Sequence, residues 1–403
     1  MRKAEELTPD KKLLVAKFGG TSLESVERRL QAVEHCRKLL EESKKLVVVV
    51  SAMGREGDPY ATDTLLQLLP GGSSSLEKDR LMACGEVISA IVMASALREN
   101  GIEAEALTGW EAGIETDGVS GNARIVSVDT GRITDSLSRN RVVVIAGFQG
   151  IAPGGELNTL GRGGTDTSAV VLAVALEADE VMLYKTVESV FTADPEKVPA
   201  ARRIERISAE DLRQMAWQGA KVVHPRAAEA ALSSGLNLQV RSFATGRVVT
   251  SVVPRPLEDT RYIMGVASGP VVTGFTVTGS GKPSAFFSRL FRSVADSGVS
   301  MDMFSVRDCS ASFTVPVDSS EAVSSLLDSM GYSHSSVSPC AKVSIVGAGM
   351  HGLRGVMARF CEALDRSGID ALQTVDSHAT ISALVRLDQR DEALSSLHGE
   401  FVE

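Results

Sequence analysis

The chain has 403 residues, 43% of them hydrophobic and 23% charged, with a formal net charge of −9. These values fit a soluble globular protein of two or three domains, and the acidic balance argues against nucleic acid as a main partner, since phosphate binding needs a basic surface. Five scattered cysteines with no CxxC pair, an N-terminus without an apolar signal core, no apolar run of membrane-spanning length and six histidines without metal-ligand spacing point to a reducing cytoplasm, no membrane and no bound metal.

In chain order, residues 13–18 (LLVAKF) and 46–50 (LVVVV) read as buried strands. The segment between them reads as a helix. Thr21 and Glu24 have capping-box spacing, and Val26, Leu30, Val33 and Leu40 supply an apolar stripe. Helical patterns follow at 77–99, 166–177, 208–217 and 225–234, interleaved with buried strands at 142–147, 180–184 and 238–242. This alternation predicts an α/β layer structure with a largely parallel sheet. Ligands of such sheets sit beyond the carboxyl ends of the strands, where Gly19-Gly20, Ser51 to Gly54 and Gly147 to Gly150 form turns. Residues 246–262 hold Gly246, Pro254 and Pro256 with no helical period and read as a linker. Beyond them 288–300 (SRLFRSVADSGVS) aligns with 358–370 (ARFCEALDRSGID), matching Arg289 to Arg359 and Gly298 to Gly368. Two small α+β modules, suited to binding rather than catalysis, are the simplest reading.

Three motifs carry chemistry. Lys17-Phe18-Gly19-Gly20-Thr21-Ser22 is not a Walker A loop, because its lysine precedes the glycines. A lysine at a strand end beside a Gly-Gly turn can still offset the charge of a transferring phosphoryl group; a solvated lysine is the alternative. Leu160-Gly161-Arg162-Gly163-Gly164-Thr165-Asp166-Thr167-Ser168 precedes an apolar run. A helix starting near Thr165 aims free N–H groups at an anion, Arg162 offers a planar fork for a carboxylate or phosphate, and Asp166 is an acceptor in the same turn. An anionic substrate beside a phosphate would be held this way, though a Gly-rich loop with an ordinary helix cap also fits. Gly347-Ala348-Gly349-Met350-His351-Gly352 is a GxGxxG, but only 51 residues follow it, too few for a dinucleotide fold. A glycine-rich turn at a regulatory-ligand site is the better reading.

Taken in order, KFGGTS (17–22), VVSAMG (49–54), CGE (84–86), GFQG (147–150), LGRGGTDTSA (160–169), TADP (192–195) and GAKVVHPRA (219–227) resemble the aspartate kinase family, in which an amino-acid-kinase fold is followed by paired ACT domains. The resemblance covers nearly the whole chain, and MGREGDPYATDTLLQLL (53–69) looks most like the Bacillus-type, diaminopimelate-responsive single-chain enzymes. It implies a three-layer sandwich with a largely parallel sheet at 1–245, a linker at 246–262 and ferredoxin-like ACT modules at 263–339 and 340–403. It implies transfer of the γ-phosphoryl group of ATP, carried as its Mg²⁺ complex and with no permanent cofactor, to the β-carboxylate of L-aspartate, the first step toward lysine, diaminopimelate, threonine and methionine. By the same resemblance Lys17 holds the transferring group with Gly19 and Gly20 lining it, Asp166 binds and orients the substrate together with Lys17, and Lys221 reaches the nucleotide phosphates. Ser51, Thr62, Glu86, Arg162 and Thr165 surround aspartate, with Glu86 on its ammonium and Arg162 on its α-carboxylate. Lys185, Thr186, Phe191 and Glu196 fall in the nucleotide segment. A feedback amino acid (lysine, threonine or diaminopimelate) would bind the modules near Ser300, Asp302, Met350, Gly355 and Ser377, in a homodimer or larger homo-oligomer. The attacking carboxylate is already ionised near pH 7, so catalysis reduces to positioning and charge neutralisation.

The pattern departs from the family in one stretch. Where the family carries a Thr-Asp pair, this chain has Lys185-Thr186; Ser189 replaces a glycine, and Glu196 replaces the arginine after Asp-Pro. At an effective dielectric of about 20, a unit charge about 6 Å away is worth roughly 3 kcal/mol, so the reversal at Glu196 weakens nucleotide binding unless Lys185 compensates. Two other readings stay open: a catalytically weak amino-acid sensor, and a kinase of a different amino acid.

Overall fold

Leu46, Val47, Val48, Val49 and Val50 are all fully buried, as in a parallel strand covered on both faces. The computed structural model describes residues 13–186, 189–220, 222–253, 262–347, 350 and 353–402. They form two compact units, one lying within 1–190, 204–213 and 222–257, the other within 191–203, 214–221 and 258–403.

The chain runs through β1 (Leu13–Phe18), α1 (Val26–Glu42), β2 (Lys45–Val50), α2 (Thr62–Leu66), α3 (Ser75–Glu99), β3 (Ala104–Leu107), β4 (Ile114–Thr116), β5 (Ile125–Val128), α4 (Gly131–Arg139), β6 (Val142–Ala146), β7 (Gln149–Ile151), β8 (Leu157–Thr159), α5 (Gly164–Ala175) and β9 (Glu180–Lys185). A short pair, β10 (Val190–Phe191) and β11 (Arg203–Ile204), precedes β12 (Arg206–Ser208), α6 (Ala209–Trp217), α7 (Pro225–Ser234), β13 (Leu238–Ser242) and β14 (Val248–Val253). The first unit's main sheet has the order β12-β14-β13-β9-β1-β2-β6-β3. It is parallel through its centre, with β13 and β14 antiparallel. A smaller sheet has the order β5-β4-β7-β8.

Strand alternation builds the layers. Leu14, Ala16 and Phe18 of β1 and Leu46, Val48 and Val50 of β2 pack with Val33, Cys36 and Leu39 of α1 and Met93, Ala94 and Leu97 of α3. The opposite face carries α5, which packs on β1, β2, β9 and α7. The result is the expected three-layer sandwich. Among the described helices α3 alone is long and apolar enough to cross a membrane, but its Ala90, Met93, Ala94 and Leu97 lie in this core.

Several local expectations change. Ser25, not Thr21, caps α1, its hydroxyl accepting the Arg28 N–H at 3.3 Å, because Gly20–Ser22 is used in a 3₁₀ turn. Val26 and Leu30 are 59% and 47% exposed; the buried stripe is Ala32, Val33, Cys36, Leu39 and Leu40. The capping box forms instead at Ser74 and Glu77, opening α3. Part of the expected linker is strand: the β-branched run 248–253 forms β14 and pairs with β13 and β12. Residues 254–261 lie outside the described residues.

The second unit contains β15 (Gly265–Thr278), α8 (Pro283–Asp296), β16 (Asp302–Arg307), β17 (Ser310–Pro316), α9 (Ser320–Ser329), β18 (Ser333–Val346), α10 (Val356–Arg366), β19 (Gln373–Asp376), β20 (Thr380–Arg386) and α11 (Arg390–Phe401). One sheet runs β16-β17-β15-β18-β20-β19. The repeat is real, α8 and α10 being its copies, but the modules are not consecutive as expected. Gly265–Ser268 of β15 pair with Val343–Val346 of β18, while Gly274–Thr278 pair with Ser333–Val337. Accordingly Val266, Val343 and Ile345 join the core under α10 and α11, and Phe275 and Val277 join the one under α8 and α9. The later module takes its first strand from before the earlier one, and both share the two long central strands. Segment 191–203 also belongs here. Ala193 and Val198 enter the α10–α11 core, and the buried Thr192 hydroxyl meets His398 Nε2 at 2.8 Å.

Candidate active site

The period-two alternation that buries Ala16 and Phe18 toward α1 and α3 turns Lys17 to the other face of β1. The same alternation turns Lys185 of β9 to that face, since Met182 and Tyr184 join the α1–α3 core. There α5 begins, with Gly163 as its left-handed N-cap (φ 72°) and Asp166 in its first turn. Asp166 bridges the two lysines: Lys17 Nζ lies 2.8 Å from Oδ1 and Lys185 Nζ 2.6 Å from Oδ2. Burial alone would raise the Asp166 carboxyl. The Lys17 and Lys185 ammoniums outweigh it and hold Asp166 well below the usual carboxylate range, and an acid in a helix's first turn is favoured by the free N–H groups there. Burial also lowers Lys185, with Asp166 opposing and Lys17 reinforcing the shift.

The turns beyond the strand ends close around this centre. The Gly54 N–H donates to the Gly20 carbonyl at 3.0 Å. A Cβ on Gly20 would stand 2.4 Å from the Ala52 carbonyl oxygen and 2.5 Å from that of Gly54, so only glycine lets the two turns meet. The Ser51 hydroxyl donates to Thr165 Oγ1 at 3.0 Å, tying the β2 turn to α5. Glu86, on α3, is 2% exposed. Its Oε1 accepts the Ala52 N–H at 3.1 Å, while Oε2 is buried without a partner among the described residues. Burial pushes the Glu86 carboxyl up to about 8 against that hydrogen bond. A buried acid with an open oxygen is ready to meet a cation.

The remaining expected residues are placed less tightly. Arg162 is 93% exposed, its Nη2 3.8 Å from Asp63 of α2, and Thr62 opens that helix. Gly19 lies against the Lys17 ammonium, at 3.6 Å from a Cβ built on it. Thr186 is exposed just past β9, and Lys221 lies outside the described residues. Phe191 and Glu196 belong to the second unit. Phe191 is half-buried in β10, and the exposed Glu196 donates its N–H to Asp194 Oδ1 at 3.1 Å. Lys185, expected in the nucleotide segment, is paired with Asp166. The signal for it was the alternation in β9, which puts Lys185 in phase with Lys17. Sequence reasoning passed over His224, which stands 3.4 Å from the Thr167 hydroxyl. Burial lowers its imidazole against the pull of Asp166.

In the second unit Asp302 pairs with Lys342 of β18 at 2.8 Å, and Ser377 bonds the Thr380 hydroxyl at 2.8 Å in the β19–β20 turn. Gly355 is the left-handed N-cap of α10, Met350 is buried and Ser300 is exposed. Ala348, Gly349, His351 and Gly352 lie outside the described residues.

A family model described as "Amino acid kinase family" matches residues 12–242, and one described as "ACT domain" matches 335–399. Aspartokinase 1 of Bacillus subtilis (strain 168) is 39% identical over 399 residues, covering 97% of this chain and 99% of the relative. The E. coli aspartokinase III structure with aspartate and ADP (R-state) matches the fold with a TM-score of 0.82 at 22% identity, covering 97% of this chain and all of that one. The same enzyme with lysine and aspartate (T-state) gives 0.72 at 22% identity, with the same coverage. With a carboxylate-bridged lysine pair at the ends of β1 and β9, and with this similarity running along nearly its whole length, the chain belongs to the aspartokinase family.

Proposed function

We propose that this chain catalyses ATP-dependent phosphorylation of the L-aspartate β-carboxylate. A carboxylate oxygen attacks the γ-phosphorus, the bond to the bridging oxygen breaks, and ADP leaves. No proton has to move, because the attacking group is already an anion. The observation that carries the reading is Asp166 bridging the ammoniums of Lys17 and Lys185 at the carboxyl ends of β1 and β9. Lys17 and Lys185 then neutralise charge on the transferring group, in the manner that suits a loose phosphoryl-transfer transition state. Glu86, with Oε2 open, receives the substrate ammonium, and Arg162 its α-carboxylate. Gly19, Gly20 and Thr186 serve the nucleotide, which arrives with Mg²⁺; Ser51, Thr62 and Thr165 complete the aspartate side.

The residues within 1–190, 204–213 and 222–257 act as the catalytic domain, and the paired modules of the second unit bind a feedback amino acid. E. coli aspartokinase III has been solved with lysine, which supports an amino-acid effector here. The six-stranded sheet is open at β16, where Phe304 and Val306 are 64% and 46% exposed. An exposed edge invites pairing, so the active form is a homodimer or larger, to be read by light scattering.

The test is direct. Purified protein with Mg-ATP, aspartate and hydroxylamine should form aspartyl hydroxamate. Absence of product over a wide range of ATP would contradict the reading.

A further inference from the structure

Two charged side chains outside the chemistry above bond the 120–123 strap and the residues that lead into the 160–163 loop. Asp79, on the second turn of α3, is fully buried. Its carboxylate accepts the hydroxyls of Thr159 and Ser120, each at 2.5 Å, and the Gly121 N–H at 3.0 Å. Arg226, in the first turn of α7, donates to the carbonyls of Ala123 at 2.9 Å and Leu160 at 3.2 Å, and to Asn122 Oδ1 at 2.6 Å. The two groups share one strap, residues 120–123, which is joined to β8 by the Ala123 N–H on the Thr159 carbonyl at 2.9 Å. Asn122 in turn backs onto Gly161, where a Cβ would stand 3.2 Å from its Oδ1.

Burying a carboxylate is a poor way to gain stability. A fully satisfied polar network does something else: it fixes the positions of what it joins. Here it joins Thr159 and Leu160, the residues that lead into Gly161-Arg162-Gly163. Both flanking glycines have positive φ, 75° and 72°, so Arg162 sits at the tip of a tight loop. With its own side chain almost wholly exposed, Arg162 takes its placement from the base of the loop.

We infer that Asp79 and Arg226 are positioning residues that brace the loop from α3 and α7, so that Arg162 is presented to the substrate carboxylate. The inference rests on the proposed function for its substrate, but not for the bracing itself. Two readouts keep them apart. Hydrogen exchange on the free protein should show faster exchange at 159–164 in Arg226→Ala, with the later turns of α5 unchanged. In steady-state assays Arg226→Ala should raise KM for aspartate about tenfold or more while KM for ATP stays within about twofold, and Arg226→Lys should recover part of the loss. Asp79→Asn should behave likewise; if it does not fold, Arg226→Ala decides. Unchanged exchange at 159–164, or equal rises in both KM values, overturns the inference. Failure of the wild-type protein to bind aspartate in calorimetry sinks the proposed function instead, leaving the exchange experiment to judge the bracing.

Discussion

Asp166 is the pivot at the scale of single residues. Its two oxygens each hold one ammonium, so removing either lysine leaves the other with a full carboxylate. Lys185→Ala is therefore expected to fold. It removes one of two positive charges from the phosphoryl centre, and KM for ATP should rise about tenfold, a loss of about 1.4 kcal/mol; a KM unchanged from wild type would contradict the role. Glu86 gives a pH test. Its carboxyl titrates near 8 in the folded protein against an ordinary 4.5. Between those values the native state holds a proton that the unfolded chain has lost, so stability falls as pH rises through that window. Glu86→Gln abolishes this dependence, and its melting temperature relative to wild type should climb from pH 5 to pH 9. A gap independent of pH would show that Glu86 does not titrate there. Since an ammonium needs the ionised form, KM for aspartate in the wild-type enzyme should fall as pH rises from 6.5 to 8.5.

At the scale of elements, the site depends on turns meeting at the ends of parallel strands. Gly20→Ala drives a Cβ into two backbone carbonyls, which cannot move without opening the β1 and β2 turns. The variant should lose about 2 kcal/mol of stability and most of its kcat, measured by thermal denaturation and the hydroxamate assay. A variant with wild-type kcat would show that the turns need not meet. Much of this arrangement was legible in the sequence. The strands LLVAKF and LVVVV and the helix after LGRGGTDTS follow from local apolar pattern. The start of α1 was not legible, because Thr21 and Glu24 satisfy a spacing rule while the Gly20–Ser22 turn takes Thr21 and leaves the cap to Ser25. Nor was β14, whose Val-rich pattern was outweighed by the glycine and prolines around it.

At the scale of the whole molecule, the nonlocal features are those that local pattern cannot carry. The internal repeat was visible as matched helices, but the sharing of β15 and β18 between modules depends on pairing between residues far apart in the chain, from Thr278 with Ser333 to Gly265 with Val346. The assignment of 191–203 to the second unit was equally hidden, since TADP reads as a nucleotide motif while Ala193 and Val198 serve the α10–α11 core. Thr192 is the anchor there: its hydroxyl meets His398 and accepts the Arg202 N–H, both at 2.8 Å. Thr192→Val keeps the shape and removes both bonds, so it should destabilise the second unit by about 1–3 kcal/mol, seen by calorimetry. An unchanged transition would mean that the segment is held by its apolar contacts alone.

The central claim is that two lysines bridged by Asp166 move a phosphoryl group from ATP to aspartate. Phosphorus NMR of the protein with Mg-ATP and aspartate tests it most directly. The expected result is ADP and an acyl phosphate appearing together, only when aspartate is present, and neither forming with Lys17→Met. ATP that persists unchanged beside aspartate, or that breaks down to ADP and inorganic phosphate equally well without it, would contradict the account.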